Sequence, residues 1–198
     1  MNRARYRKPS ACLLLAAGLV LVATTAAGLL SGPEGRLVVL VRAREHAVAL
    51  GLLALAVLTG AVLCGFSKPR ARLVAVGVLL GVGLPPLLAL SFLSAFAGTH
   101  RLEYGKAAPG HGDRRLVVES TSASFGPDTL WLVYVHEGTW PLERRWSVGA
   151  FNDDDMDNRL VETVWTAPDR IRMTTEKGAV HEVTLSPGGR PDRFVSVG

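Results

Sequence analysis

Apolar and polar positions divide this chain into two halves suited to different solvents. Three runs without any Asp, Glu, Lys or Arg fill the first half, at residues 11–30, 47–66 and 73–99. Each supplies the roughly 20 apolar residues that a helix needs to cross a hydrocarbon core about 30 Å thick. Beyond residue 99 the apolar runs become short and rich in β-branched residues. The run at 129–136, TLWLVYVH, is apolar on both faces and suits the interior of a sheet. Residues 170–175 alternate Ile171, Met173 and Thr175 with Arg170, Arg172 and Thr174. Glu176-Lys177-Gly178 then supplies a turn, and residues 179–185 return as a second strand. Further strands are predicted at 116–120, 144–148 and 159–166, with room for a last short one at 194–197.

The pattern predicts a membrane protein with three transmembrane α-helices followed by a small all-β soluble domain, an antiparallel sheet or sandwich. Its expected divisions are a basic cytoplasmic N-terminus (1–10), a three-helix membrane region (11–99), a linker (100–113) and an extracytoplasmic β domain (114–198). The linker assignment rests on Pro109, Gly110 and Gly112 in a polar stretch without a sustained stripe. Residues 37–41 are a short apolar run in the first connection, expected at the outer membrane interface or against the soluble domain.

Charge refines this picture. The chain carries a net +5, yet the segment from residue 99 onward has 12 Lys/Arg against 15 Asp/Glu. The positive excess lies at Arg3, Arg5, Arg7 and Lys8 and at Lys68, Arg70 and Arg72, flanking the spans. That placement argues for membrane topology and against a nucleic-acid partner. By the positive-inside rule the N-terminus and the second connection are cytoplasmic, while the first connection and the β domain are outside. The first span has the basic flank of a signal peptide, but its longer apolar run favours retention over cleavage. The spans carry no charge, which argues against an independent transporter. Thr24, Thr25 and Thr59 are expected to bond within their own helices, and Pro85-Pro86 to bend or break the third span. Gly77 and Gly81, spaced by four, would let another helix approach closely, from this chain or a second copy.

Candidate chemistry is sparse. Cys12 and Cys64 both fall in spans, so no disulfide framework supports the soluble domain. No Gly-x-Ser-x-Gly elbow, phosphate loop or dinucleotide fingerprint occurs. Alternate carboxylates Asp153, Asp155 and Asp157 could chelate Ca²⁺ through oxygen. Asn158 and Val164, however, replace the Gly and Glu of a helix-loop-helix calcium loop, and a solvated turn accounts for the charges. His136 and His181 lie on separate strands that could bring them together, without an evident third ligand. Trp131 and Trp146 read as core, whereas Trp140, before Pro141 in a connection, is a candidate for exposure and partner binding.

A composition rich in Ala, Val, Leu, Gly and Arg suggests a bacterial source with GC-rich coding DNA. The expectation is a multi-pass cell-membrane protein, not an enzyme, needing no cofactor. It would contact the lipid bilayer and present an external β domain to an envelope protein or cell-wall component. Two alternatives stand beside this: an accessory subunit of a larger membrane complex, and an extracytoplasmic enzyme.

Overall fold

The computed structural model describes residues 3–32, 35–96, 99–122, 129–153 and 156–198. The chain forms two compact units. One comprises Met1–Ser31 and Leu40–Ala95, the other Gly32–Val39 and Phe96–Gly198.

The first unit is helical. Helices α1 (Arg3–Leu30), α3 (Ala47–Gly65) and α4 (Pro69–Phe96) are each long and apolar enough to cross a membrane. Small side chains let α1 and α3 approach closely. A Cβ added to Gly18 would lie 2.6 Å from Leu58 Cγ, and one on Gly65 would meet Ala11 at 3.6 Å. Thr24, Thr25 and Thr59 donate to the carbonyls of Val20, Leu21 and Leu55, satisfying their hydroxyls within their own helices. Helix α4 runs unbroken through Pro85 and Pro86. Its contacts with α3 use Gly83 against Leu55 and Gly51 against Leu87, whereas added Cβ atoms at Gly77 and Gly81 meet nothing within 4 Å. The third apolar segment differs at both ends from the predicted 73–99. It starts at Pro69, whose fixed φ suits a first helical position, and Thr99 already belongs to a strand.

The second unit is a two-sheet sandwich. Strands β2 (Thr99–Ala108), β3 (His111–Ser122), β4 (Thr129–Glu137) and β5 (Arg144–Asn152) form an antiparallel meander. Strands β6 (Leu160–Ala167), β7 (Arg170–Thr175) and β8 (Val180–Thr184) form the smaller sheet. The far edge of β5 is shared by two short strands. β1 (Arg36–Leu37), from the first connection, pairs with Arg144 and Arg145, and β9 (Val195–Val197) pairs in parallel with Gly149–Phe151. Thus Leu37, the first residue of the predicted apolar run, pairs with the β domain, and Val38 opens the short helix α2 (Val38–Glu45). The amide of Val38 donates to Glu143 O at 2.8 Å, which satisfies one of the orphan donors at a helix start. Gly35 reaches this edge with φ +63°, and a Cβ there would stand 2.8 Å from the Trp146 ring.

Residues 100–113, expected to be a linker, are strand β2, a turn at Pro109-Gly110 and the start of β3. The reason is pairing. β2 is an edge strand whose ladder partner is β3, so backbone pairing fixes it and no alternating stripe of its own is required. Together β1 and β2 add two strands to those predicted, and β9 is parallel rather than antiparallel.

One core joins the sheets. Leu116, Val118, Val133, Val135, Val148 and Phe151 from the larger sheet meet Leu160, Ile171, Met173 and Val183 from the smaller. A buried ion pair adds a polar tie. Arg114 is 3% exposed, holds Glu137 through two nitrogens, and donates to Pro187 O at 2.9 Å and Pro168 O at 3.3 Å. It therefore links β3 and β4 to the loops that follow β6 and β8.

Candidate functional site

Where the two sheets part, β2, β3 and β4 on one side and the start of β6 on the other enclose a cleft of about 370 Å³. Val118 and Leu160 give it a buried apolar floor, with Trp131 half-buried beside them. Glu103, Arg159 and Glu176 are exposed around its mouth, and Val161 is 62% exposed there.

A bulge in β2 shapes one wall. Pairing with β3 shifts between Leu102, opposite Glu119, and Tyr104, opposite Val118. The extra residue allows both Glu103 and Tyr104 to serve the inner side of the sheet. Glu103 accepts a 2.6 Å hydrogen bond from Ser120 Oγ, and Tyr104 donates to Thr163 O at 3.2 Å across to the smaller sheet. Burial raises the Tyr104 hydroxyl above its ordinary pKa. Trp165 Nε1 donates to Lys106 O at 3.1 Å, a second link between β2 and β6. The indole nitrogen of Trp131 is buried and has no hydrogen-bond partner.

A different polar cluster lies at the β4–β5 connection. Glu143 is buried, and one of its oxygens receives Arg115 Nε at 3.1 Å and stands 3.1 Å from His136 Nδ1. Burial lowers the His136 pKa despite the attraction of Glu143. The imidazole is therefore neutral at pH 7, with Nδ1–H placed to donate to the carboxylate. Burial alone would raise Glu143, but hydrogen bonds from Arg115 and His136 outweigh it and hold the carboxyl below its usual range. His136 Nε2 is buried without a partner, so this carboxylate–imidazole pair is not bonded to a hydroxyl nucleophile. His181 has different surroundings, its ring lying edge-on to Phe151 at 6.0 Å.

Of the acidic loop, Asp153 follows β5 and its amide donates to Thr129 O at 3.1 Å. Asp157 lies in a single 3-10 turn, Met156–Asn158, and its carboxylate accepts from Lys177 Nζ at 3.1 Å. Asp155 falls outside the described residues. Among the described residues no group of three or more His, Cys, Asp or Glu could hold a metal ion. Trp140 is 71% exposed and Leu142 72%, both in the β4–β5 connection.

No single run of the sequence marks the cleft. Tyr104, an aromatic residue inside an otherwise polar stretch, was the available signal that residues 100–113 carry a buried face. The acidic loop, Trp140 and the cleft are separate features rather than one constellation. No protein-family model, curated protein or solved structure matches this chain.

Proposed function

We propose that this protein is a membrane-anchored binding module of the cell envelope, with a cytoplasmic N-terminus and an extracytoplasmic β domain. Its cleft between the two sheets would receive a segment of an envelope protein or a cell-wall component. The observation that carries the reading is the cleft itself: a concave site of about 370 Å³ with an apolar floor and charged groups of both signs at its mouth. Binding is preferred over catalysis because Ser120, the hydroxyl beside the cleft, donates to a carboxylate, while His136 is engaged at another place. The orientation draws on the basic residues at 3–8 and 68–72.

Photo-crosslinking tests the site. A photoreactive residue in place of Val161 is expected to give a discrete adduct in native membranes, and one in place of Arg172 on β7 is not. A correctly folded Val161 variant that yields no adduct to protein or wall would sink the proposal. Orientation is tested with a cysteine at Val180, exposed on β8, in a chain lacking Cys12 and Cys64. A membrane-impermeant maleimide should label it in intact cells, and protection until permeabilisation would reverse the topology.

A second reading, an accessory subunit, draws on α4. Its face at Gly77 and Gly81 is open, so a helix of another protein could approach there. Retention of a partner in mild detergent by the helices, but not by the β domain, would favour it.

A further inference from the structure

The β4–β5 connection ends in an apolar tip that its surroundings hold firmly. Three other tryptophans of the β domain are half-buried, whereas Trp140 is 71% exposed and stands with Leu142 at 72%. Backbone bonds brace the tip on both sides. Gly138 N–H donates to Asp113 O at 2.9 Å, and Leu142 N–H to Thr139 O at 2.9 Å. The next residue, Glu143, is buried and tied by its side chain to Arg115 and His136. These side chains are thus displayed on an ordered base, at a cost in water that some partner would relieve.

The chain itself indicates which partner. Glu143 O accepts the amide of Val38. Val38 is the first residue of α2, which fills the connection between the span ending at Leu30 and the span starting at Ala47. A segment between two successive spans cannot leave the membrane surface by more than its own reach. An eight-residue helix such as α2 extends only about 12 Å. Chain connectivity therefore leaves the tip within reach of one face of the bilayer. Its chemistry matches that place: tryptophan favours the headgroup level, leucine the acyl boundary, and arginine the lipid phosphates. Arg144 is exposed two residues after Leu142, and Arg42 and Arg44 lie in the last turn of α2.

We infer that Trp140 and Leu142 insert into the interfacial layer of the bilayer that this chain itself crosses, with Arg144 facing lipid phosphate. The inference is independent of what the cleft binds and of which side of the membrane carries the domain.

Fluorescence of the full-length chain in vesicles of phosphatidylcholine and phosphatidylglycerol tests it. Lipids brominated on the acyl chain near the headgroup are expected to quench the wild type measurably more than Trp140→Phe, which replaces an exposed side chain. A polarity-sensitive dye on Leu142→Cys, in a chain with Cys12 and Cys64 replaced by Ser, should shift to the blue relative to the same dye on Val180→Cys. Equal bromolipid quenching of wild type and Trp140→Phe, together with iodide reaching Trp140 in vesicles free of other protein, would overturn it. That result would leave the tip in water, as a surface for a protein partner.

Discussion

Enclosing Arg114 within the sandwich is tolerable because each nitrogen of its guanidinium finds an acceptor, the Glu137 carboxylate and the carbonyls of Pro168 and Pro187. Removing one partner strands the other. Glu137→Ala is expected to destabilise the domain by about 3–5 kcal/mol, since an uncompensated cation would remain buried. Urea unfolding followed by tryptophan fluorescence measures this, and a change below about 1 kcal/mol would show the pair to be dispensable. Gly189 has φ +74°, and a Cβ there would fall 2.6 Å from Glu137 Oε2, so Gly189→Ala should disturb the same tie. His136 gives a pH signature. Its folded pKa lies below the unfolded value of 6.5, so the unfolded chain binds the extra proton as pH falls through that window. Stability present above pH 6.5 is therefore lost on acidification. Glu143, held below its ordinary pKa, contributes in the same sense at lower pH. His136→Gln should flatten the fall in melting temperature just below pH 6.5, leaving the decline at lower pH that Glu143 imposes.

Among the elements, two glycine sites on the helices make opposite predictions. Gly18 sits where Leu58 of α3 presses on α1, so Gly18→Val should weaken that helix pair. Gly77 faces open space, so Gly77→Val should leave the chain's own fold intact. Thermal melting in detergent separates them, with equal losses contradicting this packing. The legibility of elements follows the same distinction between local and borrowed order. β7 and β8 could be read directly because Ile171, Met173 and Val183 point inward at period two. The three helices were readable from length and the lack of charge. β2 was not, because its pairing partner rather than its own pattern makes it a strand. β1 was hidden more deeply: it is two residues long, and its partners Arg144 and Arg145 lie far along the chain. The cleft could not be read for a related reason. It forms where a bulge at Glu103 meets the start of β6, and that depends on how two sheets diverge, not on any one segment.

In the whole molecule, the β domain is not a simple C-terminal appendage. Gly32–Val39 belongs to it although α3 and α4 intervene before Phe96. Two crossings return the chain to the side it left, so a strand from the first connection meets the later strands when both helices span the bilayer. This agrees with three spans and holds for either orientation. A fragment starting at residue 96 lacks β1, Gly35 and the cover over Trp146. It should melt at lower temperature than a fragment with residues 32–39 restored by a fusion, and should aggregate more readily through the uncovered edge of β5. Identical melting curves would show that β1 is ornamental.

The split origin of this edge also imposes an order on biogenesis. β1 leaves the ribosome before two membrane helices, and its partner strand emerges only after both. The sheet consequently stays unfinished at one margin until the insertion machinery has delivered α3 and α4. A chain in which only one of these two helices integrates would be left with Arg36–Leu37 and β5 on opposite sides of the membrane, and closure of that margin would serve as a built-in proof of correct assembly.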